Sequence, residues 1–300
     1  MRYFLCLSYD GSAFCGWQIQ PNAPSVQASL EGTLSRLLNR PVAVTGAGRT
    51  DTAVNAVNYV AHFDLDGELP FGQSDLCYKL NAMVPRSIVV HSVAPVPEDL
   101  HARFSAKRRE YTYFIHRQKD PFVAAYSWQC SYPELDFEAM NQACQYLLGT
   151  HDFSCFEKTG GDNKTSICTV FEAFWAPYTP SHIQIMNDTP AEGTISQIAS
   201  ASLRPLPSAS PTGPSLLRGR GWPRICETVP SSVNNDYWYF RIAADRFLRN
   251  MVRATVGSLI EIGRGKHRPE WIAELMEGGN RSDAGESVPG NALFLNKVDY

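Results

Sequence analysis

The sequence predicts an α+β fold of two ferredoxin-like βαββαβ halves, their antiparallel sheets joined and a cleft left between them. Three observations predict it. Short strand-like apolar runs alternate with stretches whose apolar residues recur at helical spacing, in the order strand, helix, strand, strand, helix, strand. The same order returns later in the chain, as a repeat of architecture without residue-by-residue self-similarity. A split βαβ unit of this order makes an antiparallel sheet with helices on one face, and a cleft between two such units is where a ligand is expected.

In the first half, Arg2 to Ser8 reads as a strand that ends in the turn Tyr9-Asp10-Gly11-Ser12. Val26 to Leu38 reads as a helix with Val26, Leu30, Leu34, Leu37 and Leu38 on its apolar face and Ser25 as its cap. Strands follow at Pro41 to Thr45 and Asn58 to Asp64, then a helix at Asp75 to Met83 and a strand at Ser87 to Val93. The second half reads as a strand at Glu110 to His116, a helix at Phe137 to Leu148, and strands at Ser166 to Trp175 and Tyr237 to Ala243. A helix at Arg246 to Ile262 and a strand at Leu293 to Val298 close it. Residues 1–100 are expected to form the first half and 101–300 the second. Between Pro177 and Pro230 lie nine of the 20 prolines among many serines, which marks an insertion of about residues 177–230, read as a surface loop. Within it, Leu216 to Trp222 is a candidate contact element.

Three hundred residues with 44% hydrophobic content suffice for one large domain or two ordinary ones with a sizeable core. Met1 leads straight into a strand and no apolar run approaches membrane-spanning length, which points away from secretion and from a membrane and toward the cytoplasm. The eight cysteines are scattered, with no C-x-x-C pair and no clustering with the seven histidines, so they read as structural and no metal site is expected. The net charge of −3 excludes an evenly basic coat but not a basic groove. Positive residues bunch at Lys107 to Arg109, at Arg246, Arg249 and Arg253, and at Arg264 to Arg268; each bunch reads equally as a solvated face or as part of a phosphate-tracking groove.

The most informative segment is Thr45 to Asp51, T-G-A-G-R-T-D, directly after the apolar run Val42 to Val44. Arg49 and Asp51 sit two apart on a turn where Gly46 and Gly48 are expected to allow positive φ and close approach of a partner's backbone, so the carboxylate is presented rather than buried. A dinucleotide loop is set aside, because the third glycine of its fingerprint is absent and no phosphate-loop Lys-Ser or Lys-Thr follows. Asp51 as a helix cap paired with Arg49 stays open on residue types alone.

Tyr9-Asp10-Gly11, Gly16-Trp17-Gln18, Ser25-Val26-Gln27 and Gly46-Ala47-Gly48-Arg49-Thr50-Asp51 carry a resemblance, over nearly the whole length of the chain, to the bacterial tRNA pseudouridine synthase A family. His101-Ala102-Arg103-Phe104, Arg109-Glu110-Tyr111-Thr112-Tyr113, Phe247-Leu248 through Arg253, Gly263 to Lys266, and Leu293-Phe294-Leu295 extend it. It implies a pseudouridine synthase fold and isomerisation of uridine to pseudouridine at tRNA positions 38 to 40, with no cofactor or essential metal, by a homodimer whose subunits both touch each tRNA. By resemblance Asp51 is the nucleophile or base, Arg253 its ion-pair partner, Tyr111 the contact to the target base and Leu293 the apolar wall of the uracil pocket. Arg253 is expected on a helix that also carries Arg246 and Arg249 on the same face. Arg49, with Arg103, Arg109, Arg246, Arg249 and Lys266, is expected to grip phosphates, and binding is then salt-sensitive.

The chain departs from the family at three short places and, more largely, in the insertion. Thr52-Ala53-Val54-Asn55-Ala56 stands where Ala-Gly-Val-His-Ala is common, Ala292 where glycine is usual, and Cys168 where many members have arginine. Ala53 matters if that position needs positive φ. The rival functions are a non-catalytic tRNA-binding protein or RNA chaperone on the same fold, and a metal-dependent nuclease, for which no second carboxylate or histidine stands near Asp51 at ligand spacing.

Overall fold

Strict alternation sets the first strand: in β1 (Arg2–Tyr9), Tyr3, Leu5, Leu7 and Tyr9 are buried while the residues between them are not, as one covered sheet face requires. The computed structural model describes residues 1–160, 164–188 and 236–300. They fall into one unit of Met1–Tyr178 with Asp236–Tyr300 and a second of Thr179–Asn235. In the second unit only the helix Ser181–Asp188 (α4) and the residues just before it are described. Leu216 to Trp222 lies outside the described residues.

The first half follows the expected order. α1 (Val26–Leu38) has the expected bounds, is capped by the Ser25 hydroxyl accepting from the Ala28 N–H at 3.2 Å, and ends at Asn39 in left-handed backbone (φ +51°). β2 (Val44–Gly46) and β3 (Asn55–Asp64) flank the Asp51 loop; α2 (Gln73–Met83) and β4 (Ile88–Val96) complete the half. The second half runs β5 (Arg108–His116), β6 (Trp128–Gln129), α3 (Phe137–Tyr146), β7 (Gly149–Asp152), β8 (Ile167–Pro177), β9 (Tyr237–Ala244), α5 (Met251–Gly263), α6 (Trp271–Gly278) and β10 (Leu293–Asp299). Antiparallel pairing of β8 with β9 from Pro177↔Trp238 onward makes the intervening segment an insertion within one hairpin.

The ten strands form one sheet in the order β4-β1-β3-β10-β5-β9-β8-β7, with β2 on β3 and β6 on β5. Within each half the long strands pair antiparallel, the short β6 lying parallel to β5, and the seam between the halves is parallel, pairing Phe294 with Asn55 and Leu295 with Ala56. β3 reaches both neighbours on one edge: its first residues take β10, while Ala61 to Phe63 take β2. The Asp51 loop therefore springs from the edge at which the halves meet. The buried apolar side chains of both halves form one continuous cluster.

Candidate active site in the cleft

A cleft of about 880 Å³ opens at this seam, lined by the Asp51 loop from the first half and by Tyr111, Phe247, Arg253 and Leu293 from the second. The loop is held from beneath by buried aromatics. The Tyr59 hydroxyl donates to the Gly48 carbonyl, the Tyr9 hydroxyl lies 2.9 Å from Thr50 Oγ1, and Trp17 stacks on Tyr59 with ring centroids 4.2 Å apart. It is held from the sides by backbone. A Cβ on Gly16, whose φ is +95°, would lie 2.3 Å from the Thr50 carbonyl oxygen, and one on Gly290 would lie 2.4 Å from that of Thr52.

The glycines expected to matter for conformation do so differently. Neither Gly46 nor Gly48 has positive φ. Space at Gly46 is filled by the Tyr59 hydroxyl and the Trp17 ring, and Gly48 faces open space. Positive φ falls instead on Ala53 (+63°), so the turn that favours glycine is kept with an alanine in it. Ala292 has ordinary backbone and is fully buried. Asn55 is buried and ties the halves: its Oδ1 accepts from the Gly11 N–H at 2.8 Å and its Nδ2 donates to the Asn291 carbonyl at 2.7 Å.

Arg253 meets the loop from the other half. Its Nη1 lies 3.5 Å from Asp51 Oδ2, and both side chains keep partial access to solvent. The guanidinium is aimed by a second bond, Nε to the Val288 carbonyl at 2.6 Å, while Val288 N–H returns a bond to the Arg253 carbonyl at 3.3 Å. The segment carrying Val288 is laid along α5, where Gly285 N–H donates to Ser258 Oγ at 2.8 Å, and it then passes Gly290 under the Asp51 loop. One segment thus braces the carboxylate and the arginine together. Tyr111 is buried against Phe247 in an edge-to-face contact with centroids 5.0 Å apart, and Leu293, buried at the start of β10, lines the same cleft. Burial pushes the Tyr111 phenol up to about 12, against a lowering by the charge of Arg109 and with a further rise from the anion of Asp51. The hydroxyl stays neutral at physiological pH.

The other arginines divide. Arg49 and Arg103 are exposed on the cleft wall, and Arg246 and Arg249 also line it. The last two are not on the helix as expected: α5 begins at Met251, because Asn250 sits in left-handed backbone (φ +66°), held by its Nδ2 bond to Ser287 Oγ at 2.7 Å. Arg246 to Asn250 form an irregular approach to the helix. Lys266 lies past the other end of α5, about 20 Å from Met251 at 1.5 Å per residue, pairs with Glu261 at 3.2 Å and does not line the cleft.

Arg109 is a correction of a different kind. Its side chain is buried, with Nε and Nη2 on the Ala47 carbonyl (3.2 and 3.0 Å), Nη2 also on Arg103 O (2.5 Å), and Nη1 on Ala106 O and Asp245 O (3.3 and 2.6 Å). A guanidinium has five N–H groups, so backbone carbonyls take them up and leave no fork for a phosphate. It joins the base of the Asp51 loop to the 103–106 turn and to the end of β9. Spacing in the sequence carries no signal for it, since its partners are main-chain atoms, and the same holds for Val288.

No disulfide and no His/Cys/Asp/Glu cluster fit to hold a metal occurs among the described residues. No helix among them is long and apolar enough to cross a membrane. The profile of a family described as tRNA pseudouridine synthase matches residues 143–300. The chain is 38% identical over 299 residues to the tRNA pseudouridine synthase A of Porphyromonas gingivalis, covering 100% of this chain and 97% of that one. It is 40% identical to the protein of that name from Bacteroides thetaiotaomicron (100% and 90% covered) and 32% identical to that of Chlorobaculum tepidum (98% and 96%).

Proposed function

The chain belongs to the tRNA pseudouridine synthase family, and from that premise we propose that it isomerises uridine to pseudouridine at positions 38, 39 and 40 of the tRNA anticodon stem-loop. One observation carries the assignment of its machinery. A carboxylate from one half and an arginine from the other stand 3.5 Å apart in a cleft whose inner wall is a neutral phenol and a leucine.

In the reaction the N1–C1′ bond of uridine breaks, the uracil turns, C5 bonds to C1′, the C5 proton departs and N1 gains one. Asp51 acts as nucleophile or base, and Arg253 pairs with its carboxylate and orients it in the cleft. Tyr111 contacts the uracil as a neutral hydroxyl able to donate or accept at C5, and Leu293 packs on the ring. Stem uridines are stacked and paired, so the base is drawn out at a cost of a few kcal/mol, offset by phosphate contacts from Arg49, Arg103, Arg246 and Arg249 along the rim. The same reading makes the protein a cytoplasmic homodimer, built as a first half of residues 1–100 and a second of residues 101–300.

Tritium release from tRNA carrying [5-³H]uridine tests this. Wild-type protein is expected to release tritium, and Asp51→Ala and Asp51→Asn to lose at least a thousandfold in rate while still binding tRNA. Tight binding without release by the wild type would instead establish the non-catalytic tRNA-binding protein.

A further inference from the structure

Phe104 stands apart from the other large apolar side chains of the cleft. Tyr111, Leu248 and Leu293 are buried and Phe247 is half-buried, whereas Phe104 is 76% exposed. Single exposed apolar residues are ordinary, but this one is braced. His101 Nδ1 accepts from the N–H groups of both Arg103 (3.0 Å) and Phe104 (3.2 Å), which closes a tight turn. The His101 ring packs on the Phe104 ring at 4.4 Å and is itself backed edge-on by buried His62 at 4.6 Å. Ala102 is fully buried and donates its N–H to His62 Nδ1 at 3.2 Å. The ring is therefore held away from the protein on a fixed knuckle.

The knuckle is also positioned with respect to the chemistry. Arg109 bonds the Arg103 carbonyl with the same guanidinium that bonds Ala47, so one side chain separates the turn from the base of the Asp51 loop. The Arg103 guanidinium lies 5.6 Å from the Phe104 ring centroid and supplies a cation beside the ring face. An aromatic ring with an arginine at the rim of a basic cleft is the chemistry that receives an unstacked nucleobase, since every base offers a π-face.

We propose that Phe104 is a stacking platform for a nucleobase flanking the target uridine, with Arg103 contacting the adjoining phosphate. This deepens the functional reading above and rests on it. When the target base leaves its stack, a neighbour loses a stacking partner, and Phe104 supplies a substitute. The platform holds the RNA in its opened form while Asp51 and Tyr111 engage the extracted base.

The test measures binding of an anticodon stem-loop RNA to wild-type, Phe104→Ala, Phe104→Trp and Arg103→Ala proteins across a salt series. It is repeated with RNAs abasic at each nucleotide next to the target. Stacking is worth about 1–3 kcal/mol per base, so Phe104→Ala is expected to weaken binding about tenfold with an unchanged salt slope, and Phe104→Trp to bind as the wild type. Arg103→Ala is expected to reduce the salt slope by about one. At one flanking position the abasic RNA should bind wild type about tenfold more weakly yet bind Phe104→Ala no worse than intact RNA does. Wild-type affinity in Phe104→Ala, or equal losses on every abasic RNA, would overturn the platform. So would a Phe104→Ala protein that elutes as a smaller species, because the ring would then be a contact between copies. Failure of the functional reading is separate: it appears as absence of tritium release from wild-type protein.

Discussion

Above its footing of buried tyrosines and Arg109, the Asp51 loop is clamped on both sides by backbone packed against backbone, whereas Arg253 is held by hydrogen bonds to a neighbouring segment. In the first case Gly16 and Gly290 pass so close to Thr50 and Thr52 that no side chain fits between. In the second, Arg253 reaches Val288, Asn250 reaches Ser287, and α5 starts only after a left-handed residue. A carboxylate that must meet a sugar carbon or a base gains from a mount that does not move, because a 1 Å error can cost a hundredfold in rate. An arginine that pairs with a carboxylate through its charge tolerates a softer mount, because that attraction falls off slowly with distance. The expected sensitivities of the two regions therefore differ in kind. One breaks when an atom is added, the other when a hydrogen bond is taken away.

Gly16→Ala should have the largest effect. It combines a backbone conformation costly for alanine with a Cβ 2.3 Å from a carbonyl oxygen, together about 3 kcal/mol of stability and about a hundredfold in kcat. Urea denaturation and tritium release measure the two, and a variant with wild-type stability and rate would refute the backbone clamp.

Arg109→Lys probes the polar joint at the base of the Asp51 loop. An ammonium has three donors on one atom and cannot span carbonyls on three separate segments, so some are left unsatisfied at about 1–3 kcal/mol. The expected result is a tenfold lower kcat with little change in KM for tRNA and an unchanged salt slope. A slope lowered by about one would return Arg109 to the phosphate-gripping role that its residue type suggests.

Acid should loosen the polar joint and spare the glycine clamp. Burial, with the charges of Arg2 and His101 and against an opposing effect of Asp64, lowers His62 from its usual 6.5 to about 4, and burial lowers His101 as well. A depressed folded-state value means that the unfolded chain takes up the proton first. The stability that neutral His62 contributes is therefore whole above pH 6.5 and is lost as the pH falls through about 4. The loss is on the order of 3 kcal/mol, at 1.36 kcal/mol per pH unit between 6.5 and about 4. Denaturation midpoints of wild type and His62→Asn over that range check it: the variant's curve should be flatter, and parallel curves would dismiss the histidine.

How much of this was legible in the sequence follows from the range of the interactions. α1 is fixed by its own periodicity and Ser25, and it forms with the bounds those features predict. The place of the Asp51 turn is equally local, since T-G-A-G-R-T-D follows an apolar run on one edge strand, but its shape is set from outside by Gly16 and Gly290. The start of α5 is not local. Arg246, Phe247, Leu248 and Arg249 fit helical spacing with Met251 to Arg253, but Ser287, 37 residues on, holds Asn250 out of helical backbone. Arg109 and the parallel seam share that property, because their partners are main-chain atoms brought in by topology.

Ala53→Gly should have the smallest effect and the most diagnostic sign. A φ of +63° is costly for alanine by about 1–2 kcal/mol, and glycine removes that strain while giving back about 0.4–1 kcal/mol through the freer unfolded chain. The net expectation is a gain of about 0.5 kcal/mol, or roughly 1–2 °C in Tm for a chain of this size. Catalysis should stay within twofold, because Thr50 and Thr52 are fixed from outside by Gly16 and Gly290 and not by the residue at 53. Ala53→Val, whose branched side chain resists the left-handed region, should lose stability where glycine gains it. If both substitutions destabilise equally, the methyl of Ala53 is making a packing contact worth more than its strain. Packing at position 53 would then join the buried tyrosines and the backbone clamp in holding the loop, and the contrast between the two mounts would shrink accordingly.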